Sequence, residues 1–489
     1  MMKKENFVAF DCGNSSIRVV TGLYNGETIA LKQLHQVPNE TVNVNQIHYW
    51  DILHIYKELQ YGLQESFVRY GPVSSVGICS WGIDFGLLGE SGQLLGNPLC
   101  YRNSFGEAVL EKMTEEEKYR IFNATGIPDH PMNSLYQLLG IKKYLPEYYA
   151  AARKLLFIPD LLAWLFTGEV CSESTIASTT QMLDMRNNTY ATEIIRRYGL
   201  DISLFPPLTA HGQCFGNLRK DIADTLKMTV CPFVSVASHD TASAVVAVPA
   251  EEDDFLFISS GTWSLIGTER KEPLINRDVY EEGFANEGGA FGTITLLKNS
   301  TGMFILQEIK KELEKGGRAY SWDEITRMAG GCEAKIPVFN PNDARFFSPR
   351  SMISAICEFF RKDLTIKEVL ASAYLSLACS YRHTIEKIEK LCRKTYPAIH
   401  IVGGGCRNHY LNQIIADLTE KTVISGPQEA TSLGNIGIQL KVSQPDMGLL
   451  QIRKILRESI SVKYIRPTDE LAKRNTLNSY YDNYRALFN

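Results

Sequence analysis

Two stretches of this chain follow the same pattern, in which an apolar strand leads through a short polar turn containing glycine into a second strand. They are FVAFDCGNSSIRVVTG at 7–22 and FLFISSGTWSLIGTE at 255–269. A repeat of this kind predicts two related halves that meet near residue 250, each opening with a β-hairpin whose turn faces a shared cleft. The similarity is short, so chance resemblance between two unrelated hairpins is the competing explanation.

The length of the chain and the order of its predicted elements agree with that division. With 489 residues, the chain exceeds what one hydrophobic core usually serves, which predicts two domains. Predicted strands and helices alternate as far as about Val248, with a largely helical insertion between Phe105 and Phe166. This alternation is typical of an α/β fold.

The composition argues against nucleic acid and membranes as partners. Fifty-one basic and 55 acidic side chains leave a formal net charge of −4, which provides no basic surface for nucleic acid or an anionic membrane. The most apolar long stretch, at 155–166, is interrupted by Pro159 and Asp160 and is too short to span a bilayer. The N-terminus turns polar at Asp11, before the apolar core of a signal peptide would be complete, so we expect a cytoplasmic protein.

The cysteines point to the same compartment. Eleven of them are scattered along the chain, many inside apolar runs, and no CxxC pair occurs. This usage predicts reduced, mostly buried thiols rather than a disulfide framework. No cluster of histidine and cysteine has the spacing of a zinc site.

The stretch PFVSVASHDTASAVVAV at 232–248 places one carboxylate at the end of a predicted strand. Its apolar, β-branched start predicts the strand and its small, apolar end predicts a buried helix, so Asp240 falls at a strand-to-helix turn. Parallel sheets bind ligands beyond such strand ends, and an aspartate there accepts the proton of a hydroxyl that attacks a phosphate. The alternative is that Ser238, Asp240 or Thr241 only caps the helix.

Two further regions have the composition of anion-binding and nucleotide-binding loops. The turn at 11–16 is rich in small hydrogen-bonding residues and presents several backbone N–H groups to one point, although an ordinary tight turn would look the same. The triple glycine at 403–405 closes a strand, and with the turn at 425–431 it predicts two sides of an adenine slot, because bare backbone carries no Cβ. The glycines have neither P-loop nor GxGxxG spacing.

Eight motifs follow one another in an order that one enzyme family shares. They are FDCGNSSIR at 10–18, WGIDF at 81–85, VASHDTASAV at 236–245, SSGTWSL at 259–265, KNSTG at 298–302, NPNDARF at 340–346, HIVGGGCRN at 400–408 and GPQEATSLGNIGIQL at 426–440. They span nearly the whole chain and resemble the FGGY family of sugar kinases, most closely its rhamnulokinase branch.

The resemblance implies an α/β fold of two actin/Hsp70-like (ribonuclease H-like) ATPase domains flanking a deep cleft. Residues 1–248 would form an N-terminal FGGY domain that binds sugar and phosphate. Residues 249–489 would form a C-terminal FGGY domain that binds ATP and ends in terminal helices. The implied ligands are ATP, Mg²⁺ and a small-molecule sugar, and the implied assembly is a monomer or homodimer.

The resemblance also implies roles for individual residues, transferred position by position. Asp240 matches the general base and Asp11 matches the position that faces Mg²⁺. The positions on the sugar side are Gly82, His239, Asp240, Thr241 and Asn299. The positions on the nucleotide side are Gly13, Asn14, Ser15, Ser16 and Arg18 in a first phosphate loop, Gly261 and Thr262 in a second, and Gln307, Gly404, Gly405 and Asn408 around the nucleotide.

The implied activity is ATP-dependent phosphorylation of a ketose, L-rhamnulose to L-rhamnulose 1-phosphate. Ile17 stands where rhamnulokinases usually have glycine and Asn103 where they typically have aspartate, and the DCG triplet at 11–13 is shared with L-fuculokinases. An L-fuculokinase or another ketose kinase of the family is therefore an alternative, and a non-sugar ATPase switch on the actin-like fold is the alternative of another class. Arg18 and Asp84 are charged residues beside the predicted phosphate and metal site, where each needs a partner.

Overall fold

The structure is a computed structural model that describes residues 5–332 and 335–488. The chain forms two compact units. Unit 1 consists of the described residues up to Asp253, Glu269–Leu296 and Glu429–Ile460, and unit 2 consists of Asp254–Thr268, Leu297–Gln428 and the described residues from Ser461 onward. The domain boundary predicted between residues 248 and 249 stays a prediction.

The centre of unit 1 is a six-stranded sheet. Its strands are β1 (Glu5–Cys12), β2 (Ser16–Tyr24), β3 (Ile29–Pro38), β4 (Ser75–Ser80), β5 (Cys214–Asn217) and β6 (Pro232–Val234), in the spatial order β5-β6-β4-β1-β2-β3. Strands β1, β4 and β6 are parallel, and the other neighbouring pairs are antiparallel. The chain therefore leaves these three strands at one edge of the sheet, where an open α/β sheet binds its ligands.

Unit 2 has a sheet with a related arrangement. Six of its seven strands are β7 (Leu256–Ser260), β8 (Trp263–Arg270), β9 (Ile294–Thr301), β10 (Ala398–Val402), β11 (Thr422–Ser425) and β12 (Lys463–Ile465), in the spatial order β9-β8-β7-β10-β11-β12. The seventh, the short strand Ala285–Gly288, lies at the edge of the sheet beside β9. Strands β7, β10 and β11 are parallel, whereas β7 with β8 and β11 with β12 are antiparallel. Both predicted hairpins, β1 with β2 and β7 with β8, are present, and each supplies the first strand of a parallel set.

Helices and short strands make up the other regular structure. The described helices of unit 1 are Ile52–Tyr70, Glu107–Leu110, Glu115–Thr125, Ser134–Tyr144, Pro146–Ala151, Ile158–Thr167, Ser174–Ser178, Thr192–Arg197, Lys220–Leu226, Asp240–Val246, Arg277–Glu281, Ala430–Gln439 and Leu449–Glu458. Those of unit 2 are Phe304–Glu314, Trp322–Gly330, Met352–Phe360, Ile366–Cys392, His409–Thr419 and Leu471–Arg485. The short strands are Thr41–Val44, Ile47–Trp50, Phe85–Leu88, Lys154–Phe157, Ser172–Glu173, Leu183–Asp184, Thr189–Tyr190, Leu208–Thr209 and Ala285–Gly288. Among the described residues, no helix has the length and apolar character needed to cross a membrane.

The core of unit 1 supports the strand ends that carry the site. Strand β1 is buried from Asn6 to Cys12, as expected for a central strand covered on both faces. The ring of Phe166 lies with its centroid 5.3 Å from the centroid of Phe10 on β1 and 5.3 Å from that of Phe233 on β6. These contacts hold two of the three parallel strands against helix Ile158–Thr167.

Helix Ala430–Gln439 belongs to unit 1 although it lies late in the sequence. The side-chain amide of Gln439 donates to the carbonyl of Val8 on β1 (3.0 Å) and its oxygen accepts from Ser75 on β4 (2.7 Å). The hydroxyl of Ser432 donates to the carboxylate of Asp11 (3.0 Å). The polar face of this helix therefore fixes the central strands of unit 1.

Candidate active site

Asp240 is the first residue of helix Asp240–Val246, close to the edge where β1, β4 and β6 end. Residue His239, immediately before it, forms an isolated parallel bridge with Ser80 at the end of β4. The Asp240 side chain is 35% exposed, and its Oδ1 accepts from the backbone N–H of Thr241 (2.6 Å). The N-cap residue is His239, and its side chain makes no capping hydrogen bond, so none of the three residues weighed as a cap occupies the N-cap position.

His239 is a buried imidazole between two carboxylates. Its Nε2 lies 3.3 Å from Oδ1 of Asp240, and its Nδ1 lies 3.2 Å from Oε2 of Glu287. Burial alone would lower the pKa of His239, but the carboxylates of Glu287 and Asp240 outweigh burial and raise the pKa to about 9. At neutral pH the ring is therefore a cation beside Asp240. Glu287 was not predicted from the sequence, and its contact with His239 explains why this cation is stable in a buried position.

This ion pair predicts a pH-dependent contribution to stability. A rise of the His239 pKa from its usual 6.5 to about 9 corresponds to about 3 kcal/mol. Because the pKa is higher in the folded chain than in the unfolded chain, this stabilisation is fully present below about pH 6.5 and is lost as the pH rises through about 9. We expect the midpoint of thermal unfolding to fall over that range in the wild type, and Glu287→Gln to remove most of this fall. The matched control is Glu281→Gln, an exposed residue paired with Arg277, and equal pH slopes for Glu287→Gln and wild type would contradict the assignment.

Asp11 forms a second charged cluster with Arg18 and Glu429, at the edge of the sheet where β1 ends. Because Asp11 and Arg18 are partners across the β1–β2 hairpin, Nη2 of Arg18 reaches Oδ2 of Asp11 at 2.7 Å. Nη1 of Arg18 lies 2.6 Å from Oε2 of Glu429. Burial raises the pKa of Asp11, Arg18 and Ser432 lower it, and the negative charge of Asp240 raises it further, so that the net direction is upward. Asp11 and Asp240 therefore belong to one electrostatic site on unit 1.

The first predicted loop forms a tight turn between β1 and β2. The backbone N–H of Gly13 donates to the carbonyl of Ser16 (2.9 Å), and the side chain of Asn14 donates to the hydroxyl of Tyr101 (2.8 Å). Ser15 is exposed, whereas Ile17 is buried within β2. The substitution of isoleucine for glycine is thus accommodated in a strand, where no positive φ is needed.

The second departure from the family pattern also has a structural explanation. The side chain of Asn103 accepts from the backbone N–H of His48 (2.9 Å) and donates to the carbonyls of His48 (2.8 Å) and Cys100 (2.9 Å). An aspartate at this position has no proton to donate to either carbonyl at neutral pH. Asn103 therefore holds the strand Ile47–Trp50 in place.

The turn at Gly82 is strained and closely packed. A Cβ at Gly82 would lie 3.0 Å from the hydroxyl oxygen of Thr179. The next residue, Ile83, has a φ of 69°, which is an outlier for a β-branched residue. Its N–H donates to the Thr179 hydroxyl (3.1 Å) and its carbonyl accepts from Ser134 (2.5 Å). Such strain persists only where the surroundings impose it, and it is concentrated at functional sites.

The interpretation of Asp84 as a charged partner of the phosphate and metal site is wrong. Asp84 is fully buried and accepts from the indole N–H groups of Trp50 (2.6 Å) and Trp81 (3.0 Å) and from Gln137 (3.2 Å). Burial raises the pKa of Asp84 to about 7 against these hydrogen bonds. The carboxyl group orients two tryptophans and lies two residues beyond Gly82 in the same turn.

The predicted nucleotide residues outside the first phosphate loop belong to unit 2. The N–H of Gly261 donates to the carbonyl of Trp263 (2.9 Å), which closes the turn between β7 and β8. A Cβ at Gly405 would lie 2.0 Å from the hydroxyl oxygen of Ser260, whereas a Cβ at Gly404 would meet no atom within 4 Å. The triple glycine thus packs directly against the end of β7 and leaves open space beside Gly404.

The remaining predicted residues of unit 2 have more varied positions. Asn408 is the N-cap of helix His409–Thr419, accepting from the N–H of Leu411 (3.1 Å) and donating to the hydroxyl of Tyr374 (3.1 Å). Gln307 lies in helix Phe304–Glu314. Asn299 is exposed on β9 and belongs to unit 2, whereas the other predicted sugar-side residues belong to unit 1. Ligand contacts of all these residues stay predictions.

Comparison with known proteins agrees with this geometry. The model of the FGGY family of carbohydrate kinases, N-terminal domain, matches residues 6–247, and that of the C-terminal domain matches residues 256–442. Curated rhamnulokinases from Bacteroides thetaiotaomicron and Bacillus subtilis are each 34% identical to this chain. The first alignment covers 96% of this chain and 97% of the relative, and the second covers 95% of this chain and 96% of the relative. A solved structure of ligand-bound xylulose kinase from Lactobacillus acidophilus matches with a TM-score of 0.83 at 16% identity, covering 99% of this chain and 97% of that chain.

The family matches and the curated relatives show that this enzyme is a sugar kinase, and its fold is the actin/Hsp70-like fold of that family. Such an enzyme is a phosphotransferase that modifies a sugar hydroxyl, and kinases of this kind use ATP. The chain belongs to the FGGY family of carbohydrate kinases. The predicted family and fold class are confirmed.

Proposed function

We propose that this enzyme transfers the γ-phosphoryl group of MgATP to O1 of L-rhamnulose, with Asp240 as the general base. The observation that carries the proposal is the position of Asp240, a partly exposed carboxylate at a helix start, flanked by the His239 cation and the Asp11 group. The identity of 34% with curated rhamnulokinases over nearly the whole chain supports this ketose in particular.

The residues of unit 1 supply the acid–base chemistry. Asp240 accepts the proton of the attacking hydroxyl, which makes the oxygen a better nucleophile as the bond to phosphorus forms. The buried His239 cation pairs with one oxygen of the Asp240 carboxylate. Glu287 pairs with the other ring nitrogen of His239 and so fixes the orientation of the ring. No covalent enzyme intermediate is required, because phosphoryl transfer depends mainly on alignment and charge neutralisation.

Asp11 has the properties expected of a magnesium ligand. Its carboxylate is buried, and the negative charge of Asp240 disfavours its ionised form, so a cation would relieve the repulsion between the two. Mg²⁺ is usually held by one or two carboxylates together with phosphates and water. Asp11 would hold the ion, and the ion when bound would neutralise charge on the phosphates. Arg18 keeps the Asp11 side chain oriented by its ion pair.

Unit 2 would hold the nucleotide. We assign the phosphates to the turn at Gly261 and Thr262, and the adenosine to the open backbone at Gly404, next to Gly405, which packs against Ser260. Bare glycine backbone admits a flat ring closely, which supports this assignment. No disulfide joins the eleven cysteines, all of which are among the described residues. We place the reaction in the cytoplasm, where thiols stay reduced.

A panel of ketoses tests the proposed substrate. ADP release is measured in a coupled assay with L-rhamnulose, L-fuculose, L-ribulose, D-xylulose and glycerol, and the kcat/KM values are compared. We expect L-rhamnulose to exceed every other acceptor by about a hundredfold, because unpaired polar groups in a site discriminate strongly between hydroxyl configurations. A higher value for another ketose would overturn the substrate, and slow ATP hydrolysis indifferent to all sugars would identify an ATPase switch instead.

A further inference from the structure

The buried carboxylate of Glu173 collects an unusual number of hydrogen-bond donors. Glu173 ends the short strand Ser172–Glu173, is 2% exposed and is the N-cap of helix Ser174–Ser178. Its oxygens accept from the N–H groups of Thr175 (2.7 Å) and Ile176 (3.1 Å). These two hydrogen bonds are sufficient to cap the helix, yet the same carboxylate accepts hydrogen bonds from further donors.

The additional donors come from the turn that carries Asp240. The backbone N–H of Ser238 donates to Oε2 of Glu173 (3.0 Å). The N–H of His239 donates to the hydroxyl of Thr175 (3.1 Å), and that hydroxyl donates to the same Oε2 of Glu173 (2.6 Å). The peptide groups that join Ala237 to Ser238 and Ser238 to His239 are therefore fixed by one carboxylate, directly and through one hydroxyl.

Glu173 is ionised in this position. Burial alone would raise its pKa, but the hydrogen bonds from His211 and Thr175 outweigh burial and lower the pKa below its usual range. Nε2 of His211 lies 2.7 Å from Oε1 of Glu173, and Nδ1 of His211 accepts from the N–H of Phe291 (2.9 Å), which leaves the ring proton on the side of Glu173. Hydrogen bonds to an ionised acceptor are about twice as strong as neutral ones.

The carbonyl of the peptide that joins Ser238 to His239 is also held by a hydrogen bond. The backbone N–H of Ser80, at the end of β4, donates to the carbonyl of Ser238 (2.8 Å). The peptide planes before Asp240 are thus held between the sheet and Glu173. A rotation of either plane changes the direction in which the Asp240 side chain leaves the backbone.

We infer that Glu173 is a positioning residue for the phosphoryl transfer, which acts by fixing the Ser238 and His239 peptides and thereby the direction of the Asp240 carboxylate. This inference rests on the proposed function of Asp240. Glu173 has no hydrogen bond to Asp240, so it acts on Asp240 through the Ser238 and His239 peptides and, by its charge, through His239. Small misplacements of a catalytic group reduce reaction rates strongly: a shift of about 1 Å lowers the rate by about 10²-fold.

The test is a double-mutant cycle with Glu173→Gln and Asp240→Asn. In the wild-type background, we expect Glu173→Gln to lower kcat per folded enzyme by about 10- to 100-fold and to leave the KM for ATP within about twofold. In the Asp240→Asn background we expect no further loss of kcat, because there is no longer a base to direct. A merely structural role would instead lower kcat by the same factor in both backgrounds, and that result would overturn the inference.

The matched control is Asp160→Asn. Asp160 is a second buried acid of this region, and it accepts from Ser172 (2.7 Å) and from the N–H of Glu173 (3.2 Å). Burial raises the pKa of Asp160 well above its usual value, so asparagine resembles its neutral form. We expect kcat within about twofold of wild type, and a loss as large as that of Glu173→Gln would contradict a specific role for Glu173.

A further variant covers the case in which Glu173→Gln does not fold. Thr175→Val keeps Glu173 and its capping bonds but removes the acceptor for the His239 N–H, and we expect kcat to fall by about tenfold, restored in Thr175→Ser. Wild-type kcat in Thr175→Val would then overturn the inference. If Asp240→Asn itself retains normal turnover, the proposed base is wrong, whereas an inactive Asp240→Asn with a fully active Glu173→Gln contradicts only the inference.

Discussion

Replacement of Asp240 by asparagine is expected to lower kcat by about 10²- to 10⁴-fold, a loss of about 3 to 5 kcal/mol of transition-state stabilisation. Asparagine keeps an oxygen that accepts from the N–H of Thr241, so the start of helix Asp240–Val246 should remain intact. What it loses is the ability to take the proton of the attacking hydroxyl. Steady-state ADP release measures kcat, and calorimetric titration measures ATP affinity, which should stay unchanged.

The control for this variant is Asp278→Asn. Asp278 lies in the first turn of another short helix of unit 1, Arg277–Glu281, and is exposed. It carries the same change of charge without a place in the proposed chemistry. Near-normal turnover in Asp240→Asn, or an equal loss in both variants, would show that Asp240 is not the base.

Replacement of Gly434 by alanine is expected to destabilise unit 1 by about 3 kcal/mol or more. A Cβ at Gly434 would lie 1.8 Å from the carbonyl oxygen of Ser243 and 3.2 Å from Cβ of Val246, so helix Ala430–Gln439 must move away from helix Asp240–Val246. The clash is with backbone atoms of Ser243, so no side-chain rotation relieves it. Because helix Asp240–Val246 begins at the proposed base, kcat should fall as well.

Thermal unfolding measures this effect, and we expect the midpoint to fall by about 6 °C or more. Gly448→Ala is the matched control in the same unit, since Gly448 is exposed and its added Cβ would meet no atom within 4 Å. Because Gly448 is the N-cap of helix Leu449–Glu458, the midpoint of this variant should fall by no more than about 2 °C. Equal midpoints for Gly434→Ala and wild type would contradict the close packing of the two helices.

Local patterns were sufficient to predict the hairpins and the turn at Asp240. The run of apolar residues before Asp11 is a strand buried along its length, and the small residues after Asp240 form a buried helix. Both features depend on neighbouring residues, whose preferences act over a few positions. The prediction of one carboxylate at the strand-to-helix turn therefore needed no knowledge of distant contacts.

The partners of the charged residues could not be predicted in the same way. Glu429 is 411 positions from Arg18, and Glu173 is 65 positions from Ser238, so no spacing rule connects them. The sequence signal for Glu173 is a polar run, SESTIASTTQ at 172–181, that is buried throughout. Such a segment must satisfy its polar groups internally, and this requirement could have marked it as part of a network.

Asp84 shows why residue type alone misleads. An acidic residue beside a glycine turn and a predicted phosphate loop favoured a role near the metal. Its carboxylate instead accepts from Trp50 and Trp81, and Trp50 is 34 positions away on the short strand Ile47–Trp50. Only the packing of that strand decides which donors surround the carboxyl group.

The most direct measurement of the central claim is ³¹P NMR of the reaction products of wild type and Asp240→Asn with MgATP and L-rhamnulose. For the wild type we predict one new phosphomonoester of the ketose for each ADP formed, with no matching release of inorganic phosphate. For Asp240→Asn we predict loss of the ester signal on the same time scale. Inorganic phosphate as the main product of the wild type, or ester formation by Asp240→Asn at the wild-type rate, would contradict the account.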